Sequence, residues 1–152
     1  MPPTSRWLNF KGKSMQINSE KLELKLSIED KNYNLSVFNK ITKKETKLSN
    51  YKEFEISYYT KKNLFTKETK VIDNSMCDVV EKDNLLIFTG RIDENTWKII
   101  VKYEIDSISN VIRKRLEIDV DNKDLLIDYI TLDSFMVGDN YNWTIPEVND
   151  RV

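Results

Sequence analysis

The chain has 152 residues and a formal charge of −1, which fits one domain with its own core and argues against nucleic acid as the main partner. It contains no His, so Ser-His-Asp catalysis, His-based zinc sites and an imidazole general base are excluded. A single Cys excludes an internal disulfide and a multi-cysteine metal site.

Residues 1–13 are predicted to form a lead-in segment, with Trp7 and Phe10 docking onto the body of the domain. They lack the apolar core of a secretory signal peptide, which slightly favours a cytoplasmic location. The sequence nowhere reaches the run of about 18 apolar residues that a membrane span requires, so no membrane partner is expected.

The first predicted strands are Lys21–Glu29 and Tyr33–Asn39, which alternate apolar and polar side chains on either side of a short turn. Their register can be predicted because a shift of one residue would turn every side chain to the opposite face. The register that matches apolar residues pairs Ile28 with Tyr33, Leu26 with Leu35, and Leu24 with Val37. The Lys-rich stretch Ile41–Asn50, which follows this hairpin, is predicted to be a connection.

The middle of the chain contains four more predicted strands, bounded by turn residues. An alternating strand is followed by a weaker one and then by a hairpin, which Gly90 is expected to end. Cys77 is interpreted as a small strand residue in this hairpin. The four strands are Lys52–Thr60, Thr66–Ile72, Met76–Glu81 and Leu85–Thr89.

Three further strands, Thr96–Asp106, Val111–Val120 and Leu125–Met136, are predicted to form an antiparallel meander. Both of its predicted registers turn the same apolar face toward the core, as a well-specified sheet requires. The first register pairs Ile105 with Ile112, Val101 with Leu116, Ile99 with Ile118, and Trp97 with Val120. The second pairs Val120 with Leu125, Ile118 with Ile127, and Leu116 with Tyr129.

The opposite face of the meander mixes charged and apolar side chains. Asp128 is predicted to lie diagonally across from Arg115 and to form an ion pair with it. Because Leu126, Ile130 and Leu132 would share this face, another layer is expected to cover part of it.

About nine to eleven short strands are therefore predicted, and no segment shows a convincing helical stripe. This pattern predicts an all-β fold, an antiparallel β-sandwich. The predicted divisions are a lead-in over residues 1–13, a sandwich domain over residues 14–137, and a tail over residues 138–152 that leads toward a further domain.

Charge is distributed unevenly along the sequence. Residues 31–70 hold 10 Lys and 4 acidic residues, a net charge of +6, whereas residues 119–152 hold 8 acidic and 2 basic residues, a net charge of −6. The simpler interpretation is two solvated faces; the alternative is a site for an anionic ligand on the basic half.

One segment resembles the start of a calcium-binding loop. Asp119–Asp124 has the acidic spacing, but Asp124 stands where the loop needs Gly and Ile130 stands where it needs Glu. A hairpin turn is predicted there instead, and no metal site is expected.

The best candidates for a binding site in the sequence are aromatic residues near its end. Tyr141 and Trp143 lie in a stretch rich in Gly, Asp and Asn, where a loop can present rings to a sugar or to a partner protein. The alternative for Trp143 is packing of the tail onto the sandwich. Trp97, in contrast, is interpreted as a core residue.

The stretch Val111–Phe135 resembles a strand pair of the amino-terminal β-supersandwich domains of α-galactosidase-like glycoside hydrolases. In that family an Ile-Arg-Arg/Lys-x-Leu-Glu-Ile strand, a polar turn with Asn or Asp, and a strand ending in an acidic residue occur together. The matching segments here are Ile112–Ile118, Asp121–Asp124 and Ile127–Asp133. The opening hairpin followed by Ile41–Glu45 is similar to the opening of those domains, with Lys in place of a Gly.

This resemblance implies a galactose-mutarotase-like sandwich that precedes a catalytic barrel. In those enzymes the barrel supplies the catalytic carboxylates, so the resemblance assigns no catalytic residue to this chain. Related sugar epimerases use a His that is absent here. A complete supersandwich has more strands than the sequence predicts, which leaves a fragment, a truncated gene product or a smaller sandwich as the alternatives.

The expected function is that of a non-catalytic β-sandwich domain of a carbohydrate-active enzyme, which supports the catalytic domain and contacts carbohydrate. Two alternatives stay open: a free-standing carbohydrate-binding module with Tyr141 and Trp143 as its platform, or a protein-interaction subunit. No cofactor is expected, and the expected partner is carbohydrate or an adjoining catalytic domain.

Overall fold

The computed structural model describes residues 13–66 and 68–136, and the main chain alone for residues 135 and 136. Within these residues the chain forms twelve β-strands, two short 3-10 helices at Lys61–Asn63 and Asn74–Met76, and no α-helix. The strands are β1 (Lys13–Asn18), β2 (Leu22–Glu29), β3 (Asn32–Asn39), β4 (Lys44–Lys52), β5 (Glu55–Thr60), β6 (Lys70–Asp73), β7 (Asp78–Lys82), β8 (Leu85–Ile92), β9 (Asn95–Asp106), β10 (Val111–Val120), β11 (Leu125–Thr131) and β12 (Ser134–Met136).

The strands form three antiparallel sheets. One has five strands in the order β1-β2-β3-β4-β12, one has four in the order β10-β9-β8-β7, and one has three in the order β11-β5-β6. The predicted all-β antiparallel sandwich is therefore confirmed. No helix formed by the described residues is long and apolar enough to cross a membrane.

Aromatic rings join the four-stranded sheet to both other sheets. The ring of Tyr58 on β5 lies 4.9 Å from that of Trp97 on β9, and Tyr33 on β3 lies 6.2 Å from Phe88 on β8. Phe54 meets the same Phe88 edge to face at 5.1 Å. Offset and edge-to-face contacts of this kind are the favoured arrangements of buried rings. Trp97 is fully buried, as its interpretation as a core residue requires.

The first hairpin has the predicted register, with Ile28 opposite Tyr33. Two neighbouring strands were not predicted. β1 pairs with β2, and the stretch predicted as a connection over Ile41–Asn50 contains most of β4, which pairs with β3. The prediction of a connection is wrong because β4 is solvated over most of its length, so Lys and Thr replace the apolar residues that would have marked an inward face.

The two predicted registers of the meander have different outcomes. β9 pairs with β10 as predicted, with Val101 opposite Leu116. The second register is wrong, because β11 pairs with β5 and Ile127 lies opposite Tyr58 rather than Ile118. β5 and β10 both offer apolar residues at every second position, so the alternation in β11 fits either partner equally well.

The segment between β10 and β11 is a crossover between sheets and not the predicted hairpin turn. The Asp121 amide donates to the Thr96 carbonyl of the four-stranded sheet, and the Lys61 amide, next to β5, donates to the Asp124 carbonyl. Residues 121–124 thus carry the chain from one sheet to the other.

The predicted ion pair between Arg115 and Asp128 is also wrong. Asp128 is exposed at a register shift in the β11–β5 pairing, whereas Arg115 Nε lies 3.8 Å from Glu104 Oε2 on β9. Because β10 and β11 belong to different sheets, the mixed face they were predicted to share, and its cover, do not form.

Gly90 does not end its strand. β8 continues to Ile92, and a Cβ atom at Gly90 would lie 3.2 Å from Cys77 Sγ and 3.3 Å from the Met76 carbonyl oxygen. Glycine thus fits the close approach of β8 to the residues just before β7, where a side chain would press against its neighbours. Cys77 itself is buried but lies just before β7 rather than in a strand. The strand predicted over Thr66–Ile72 is shorter, and forms β6.

Candidate functional site: a polar trough on the five-stranded sheet

A large cavity among the described residues lies on the outer face of β1–β4. Alternation fixes this face, because the neighbouring residues of each strand point inward to the core, as Met15 does on β1 and Leu26 does on β2. We call the face the outer trough, and its cavity has a volume of about 560 Å³. Its outward side chains are those of Ser14, Gln16, Lys25, Ser27, Asn34, Ser36, Glu45, Lys47 and Ser49.

The strand registers arrange these side chains in rows across the sheet. One row runs Gln16, Lys25, Ser36 and Lys47, so that a short serine lies between two lysines. A second row on the same face runs Asn18, Glu23, Phe38 and Glu45. Small residues on the floor and longer ones beside them give the trough its depth.

Charges in the trough balance one another. Lys25 Nζ lies 2.7 Å from Glu23 Oε1, and Lys47 Nζ lies 3.5 Å from Glu45 Oε2. The hydrogen bond from Lys25 to Glu23 raises the pKa of that lysine, so its ammonium group stays charged at neutral pH. With two ammonium groups and two carboxylates, the trough has no net charge. The anionic-ligand alternative on the basic half therefore gains no support from this face.

One end of the trough carries an aromatic ring. A second cavity of about 270 Å³ adjoins the first and is lined by Glu23, Lys25, Ser36, Phe38 and Glu45. The half-buried Phe38 side chain offers an apolar surface beside two carboxylates and an ammonium group. Ligand sites typically combine such an apolar surface with a few polar groups that fix orientation.

A second cluster of polar side chains is buried between the sheets around Lys114. This lysine occupies an inward position of β10, between Ile112 and Leu116, and its side chain is only 9% exposed. Nζ lies 2.9 Å from Glu53 Oε2 and 2.8 Å from Asp133 Oδ1. The cluster consists of Lys114, Tyr51, Glu53, Tyr103 and Asp133, and we call it the inward lysine cluster.

Tyrosine hydroxyls complete the inward lysine cluster. Tyr103 donates to Glu53 Oε2 at 2.7 Å, and Tyr51 donates to Asp133. Asn50 has a φ of 49° where the register of the β4–β12 pairing shifts, and Tyr51, the next residue, is buried among these groups. Glu53 Oε1 is buried without a hydrogen-bond partner among the described residues.

The geometry of the inward lysine cluster favours a structural role over catalysis. The Lys114 ammonium group is surrounded by oxygen acceptors, which include the Leu132 carbonyl at 2.6 Å. Burial raises the pKa of both tyrosines far above the neutral range, so neither serves as a base. Burial also raises the pKa of Glu53, and the nearby Lys114 opposes that shift. The cluster holds β4, β10 and the segment before β12 together.

Sequence reasoning missed both features. The outer trough was missed because β1 and β4, its two flanking strands, were not predicted. Lys114 has the same parity as Ile112 and Leu116, and this was the available signal that its side chain points inward. The predicted site residues Tyr141 and Trp143 lie outside the described residues. The described part of the chain contains no group of three or more acidic or Cys side chains placed to hold a metal ion.

No protein-family model, curated protein or solved structure matches this chain.

Proposed function

We propose that this chain is a non-catalytic β-sandwich domain of a carbohydrate-active enzyme and that it binds neutral carbohydrate in the outer trough. The observation that carries the proposal is the row in which Ser36 lies between Lys25 and Lys47, with Phe38 in the adjacent row. The resemblance to supersandwich domains of glycoside hydrolases points to the same class of ligand.

Chemical complementarity supports a neutral sugar. Sugar hydroxyls both donate and accept hydrogen bonds, and the Ser, Asn and Gln side chains of the trough do the same. Lysines add donors and glutamates add acceptors without a net charge that would favour an ion. The volume of about 560 Å³ is in the range of small-molecule sites, which is roughly 300–1,000 Å³.

Calorimetric titration with neutral oligosaccharides tests this proposal. The panel should include galactose-, glucose-, mannose- and xylose-based chains, together with a uronic-acid oligomer as the charged comparison. Saturable binding of at least one neutral chain is expected. No heat of binding from any of them would overturn the proposal.

A space-filling variant locates the ligand. Ser36→Trp fills the floor of the trough and should abolish binding, because the ring takes the place of the sugar. Thr89→Trp is the matched control, since Thr89 is an exposed strand residue on the four-stranded sheet. Equal loss of binding in both variants, or in neither, would contradict the assignment to the trough.

Support of an adjoining catalytic domain is the second role that the geometry favours. Ile127, Tyr129 and Ile130 on β11 are each more than 40% exposed, and such apolar groups suit contact with a neighbouring domain. Where the gene encodes a barrel beyond residue 152, amide exchange in β11 should be slower in the longer product. Unchanged exchange would remove this role.

A further inference from the structure

β10 is the end strand of the four-stranded sheet, so one of its two backbone edges has no partner strand among the described residues. The Asp121 amide donates to the Thr96 carbonyl just beyond the β9–β10 ladder. Hydrogen-bonded pairs alternate along an antiparallel ladder, so the odd-numbered residues of β10 bond to β9. The backbone groups of the even-numbered residues 112–120 therefore face the open edge.

The charged residues on the outer face of β10 follow one another in an order that is complementary to its own reverse. Arg113 and Arg115 come first and Glu117 and Asp119 follow, and all four side chains lie on the outer face. In an antiparallel pair, the first residues of one strand lie opposite the last residues of the other. A second β10 would thus bring arginines opposite carboxylates at both ends.

We propose that two copies of this chain associate through β10, which pairs antiparallel with its own copy around a two-fold axis at Leu116. The pairing sets Arg113 opposite Asp119 and Arg115 opposite Glu117, each twice. It joins the two four-stranded sheets into one sheet of eight strands. This is an isologous contact, in which the same surface of both copies is used.

Ion pairs within one copy leave the acidic half of the strand available. Arg113 contacts Asp106 at 3.1 Å and Arg115 contacts Glu104 at 3.8 Å, both on β9. Among the described residues, Glu117 and Asp119 form no ion pair. A facing copy would supply their partners, and its arginines can contact both sets of carboxylates because the guanidinium group has several donors.

The backbone and the inner face of β10 agree with the same pairing. The hydrogen-bonded pairs of this register would be Leu116 with Leu116 of the other copy, Ile112 with Val120, and Lys114 with Ile118. These residues present their backbone groups to the open edge. The apolar members of this set are only half-buried, so a second copy would complete their burial. Charges on an edge strand can instead serve to prevent association. Mixed charges in a self-complementary order separate the two cases, because they attract rather than repel a second copy.

Sedimentation velocity of the full chain, over a range of concentrations and at low and high salt, tests the association. A reversible dimer is expected, and salt should weaken it because exposed ion pairs are screened. A monomer at all concentrations up to about 1 mM, a Kd too weak to count as specific association, would overturn the proposal.

Charge exchange assigns the dimer to β10. The double variant Arg113→Glu, Arg115→Glu has an edge with only negative charges, and Glu117→Arg, Asp119→Arg has an edge with only positive charges. Each should raise the Kd of self-association about tenfold or more. Mixed in equal amounts, the two should form a heterodimer, because every facing pair is then oppositely charged.

Unchanged self-association of either double variant, or no heterodimer in the mixture, would overturn the assignment to β10. Each variant is first checked by urea unfolding, because a chain that fails to fold would also fail to associate. The fourfold variant that carries all four exchanges restores self-complementary order, and should dimerise again as the wild type does.

Discussion

Lys114 Nζ lies 2.9 Å from Glu53 Oε2, although Lys114 is on β10 and Glu53 lies in the connection between β4 and β5. The lysine side chain is 9% exposed and the glutamate side chain is fully buried. An ion pair removed from water in this way gains little net stability when intact, but breaking it leaves an uncompensated charge. The folded state therefore depends on the presence of both partners, because removal of either one leaves the other charge buried and unpaired.

Replacing Lys114 by Met should destabilise the protein by about 3–5 kcal/mol, because Glu53 loses its buried counter-charge. Urea unfolding measures the loss. Lys98→Met is the control, since Lys98 is exposed on the neighbouring strand and should change stability by no more than about 0.5 kcal/mol. Adding Glu53→Gln to the Lys114 variant should recover part of the loss. Equal stability of Lys114→Met and wild type would refute a role for this pair.

The lowered pKa of Asp73 predicts that the protein loses stability as the pH becomes acidic. Burial alone would raise its pKa, but hydrogen bonds from Ser75 and the contact with Lys52 outweigh burial, and the pKa is lowered. A lowered pKa in the folded state stabilises the protein above the ordinary pKa of Asp, near 4, and that contribution is lost as the pH falls through the lowered value.

Asp73→Ala should cost about 1 kcal/mol at neutral pH, because the carboxylate also caps the 3-10 helix at Asn74–Met76. The difference between wild type and variant should shrink below about pH 4. Urea unfolding at neutral and acid pH measures it. A difference that stays constant across that range would contradict the assignment to the ionised carboxylate.

Gly90→Val should destabilise the protein by about 1–3 kcal/mol, because the new Cβ would lie 3.3 Å from a backbone carbonyl that cannot move aside freely. Thermal unfolding measures the loss. The neighbouring Arg91 is exposed, and Arg91→Ala should leave the unfolding temperature nearly unchanged. If both variants unfold like the wild type, β8 and Cys77 do not approach as closely as the structure has them.

Phe38→Ala should weaken binding of the neutral oligosaccharide about tenfold, a loss of about 1.4 kcal/mol, because the sugar ring loses its apolar contact at one end of the trough. Calorimetric titration gives the change. Val37→Ala on the same strand points to the core and should lower stability without changing affinity at a temperature where the variant is folded. The opposite pattern would place the sugar elsewhere.

Trp143→Ala tests the predicted binding residues outside the described part of the chain. Met136 on β12 pairs with Ser49, which lines the trough, and Trp143 follows Met136 by seven residues. Seven extended residues span up to about 25 Å, enough to reach the trough. If Trp143 contacts the sugar, tryptophan fluorescence of the wild type should change on oligosaccharide addition, and the variant should lose this change and about tenfold in affinity. Trp7→Ala is the control, and equal effects of both would argue against Trp143.

The local parts of the fold were predictable because each hairpin carries its own register. Leu26 opposite Leu35, and Val101 opposite Leu116, follow from counting outward from a short turn. The pairing of Ile127 with Tyr58 did not follow, because its partner is distant in sequence and alternation alone does not select among sheets. Patterns that are local in sequence therefore predict the registers of hairpins but not the partner of a strand that crosses to another sheet.

The candidate site was harder to predict than the fold. Its floor consists of outward Ser and Asn side chains, such as Ser27 and Asn34, which in sequence are typical of any solvated face. A concave surface is formed only by four strands side by side, and two of those strands lacked a clear pattern. Lys114 was not considered as a site residue, although it has the same parity as the apolar residues Ile112 and Leu116.

The crossover at residues 121–124 has a consequence for the order of folding. The hairpins of the sandwich join strands that are neighbours in sequence, and they can close quickly because closing a short loop loses little chain entropy. The strand after the crossover must instead find a partner more than sixty positions earlier, since Leu125 pairs with Thr60. During synthesis, β5 and β6 are therefore complete well before their third strand, and docking of β11 is expected to be a late, slow step of folding.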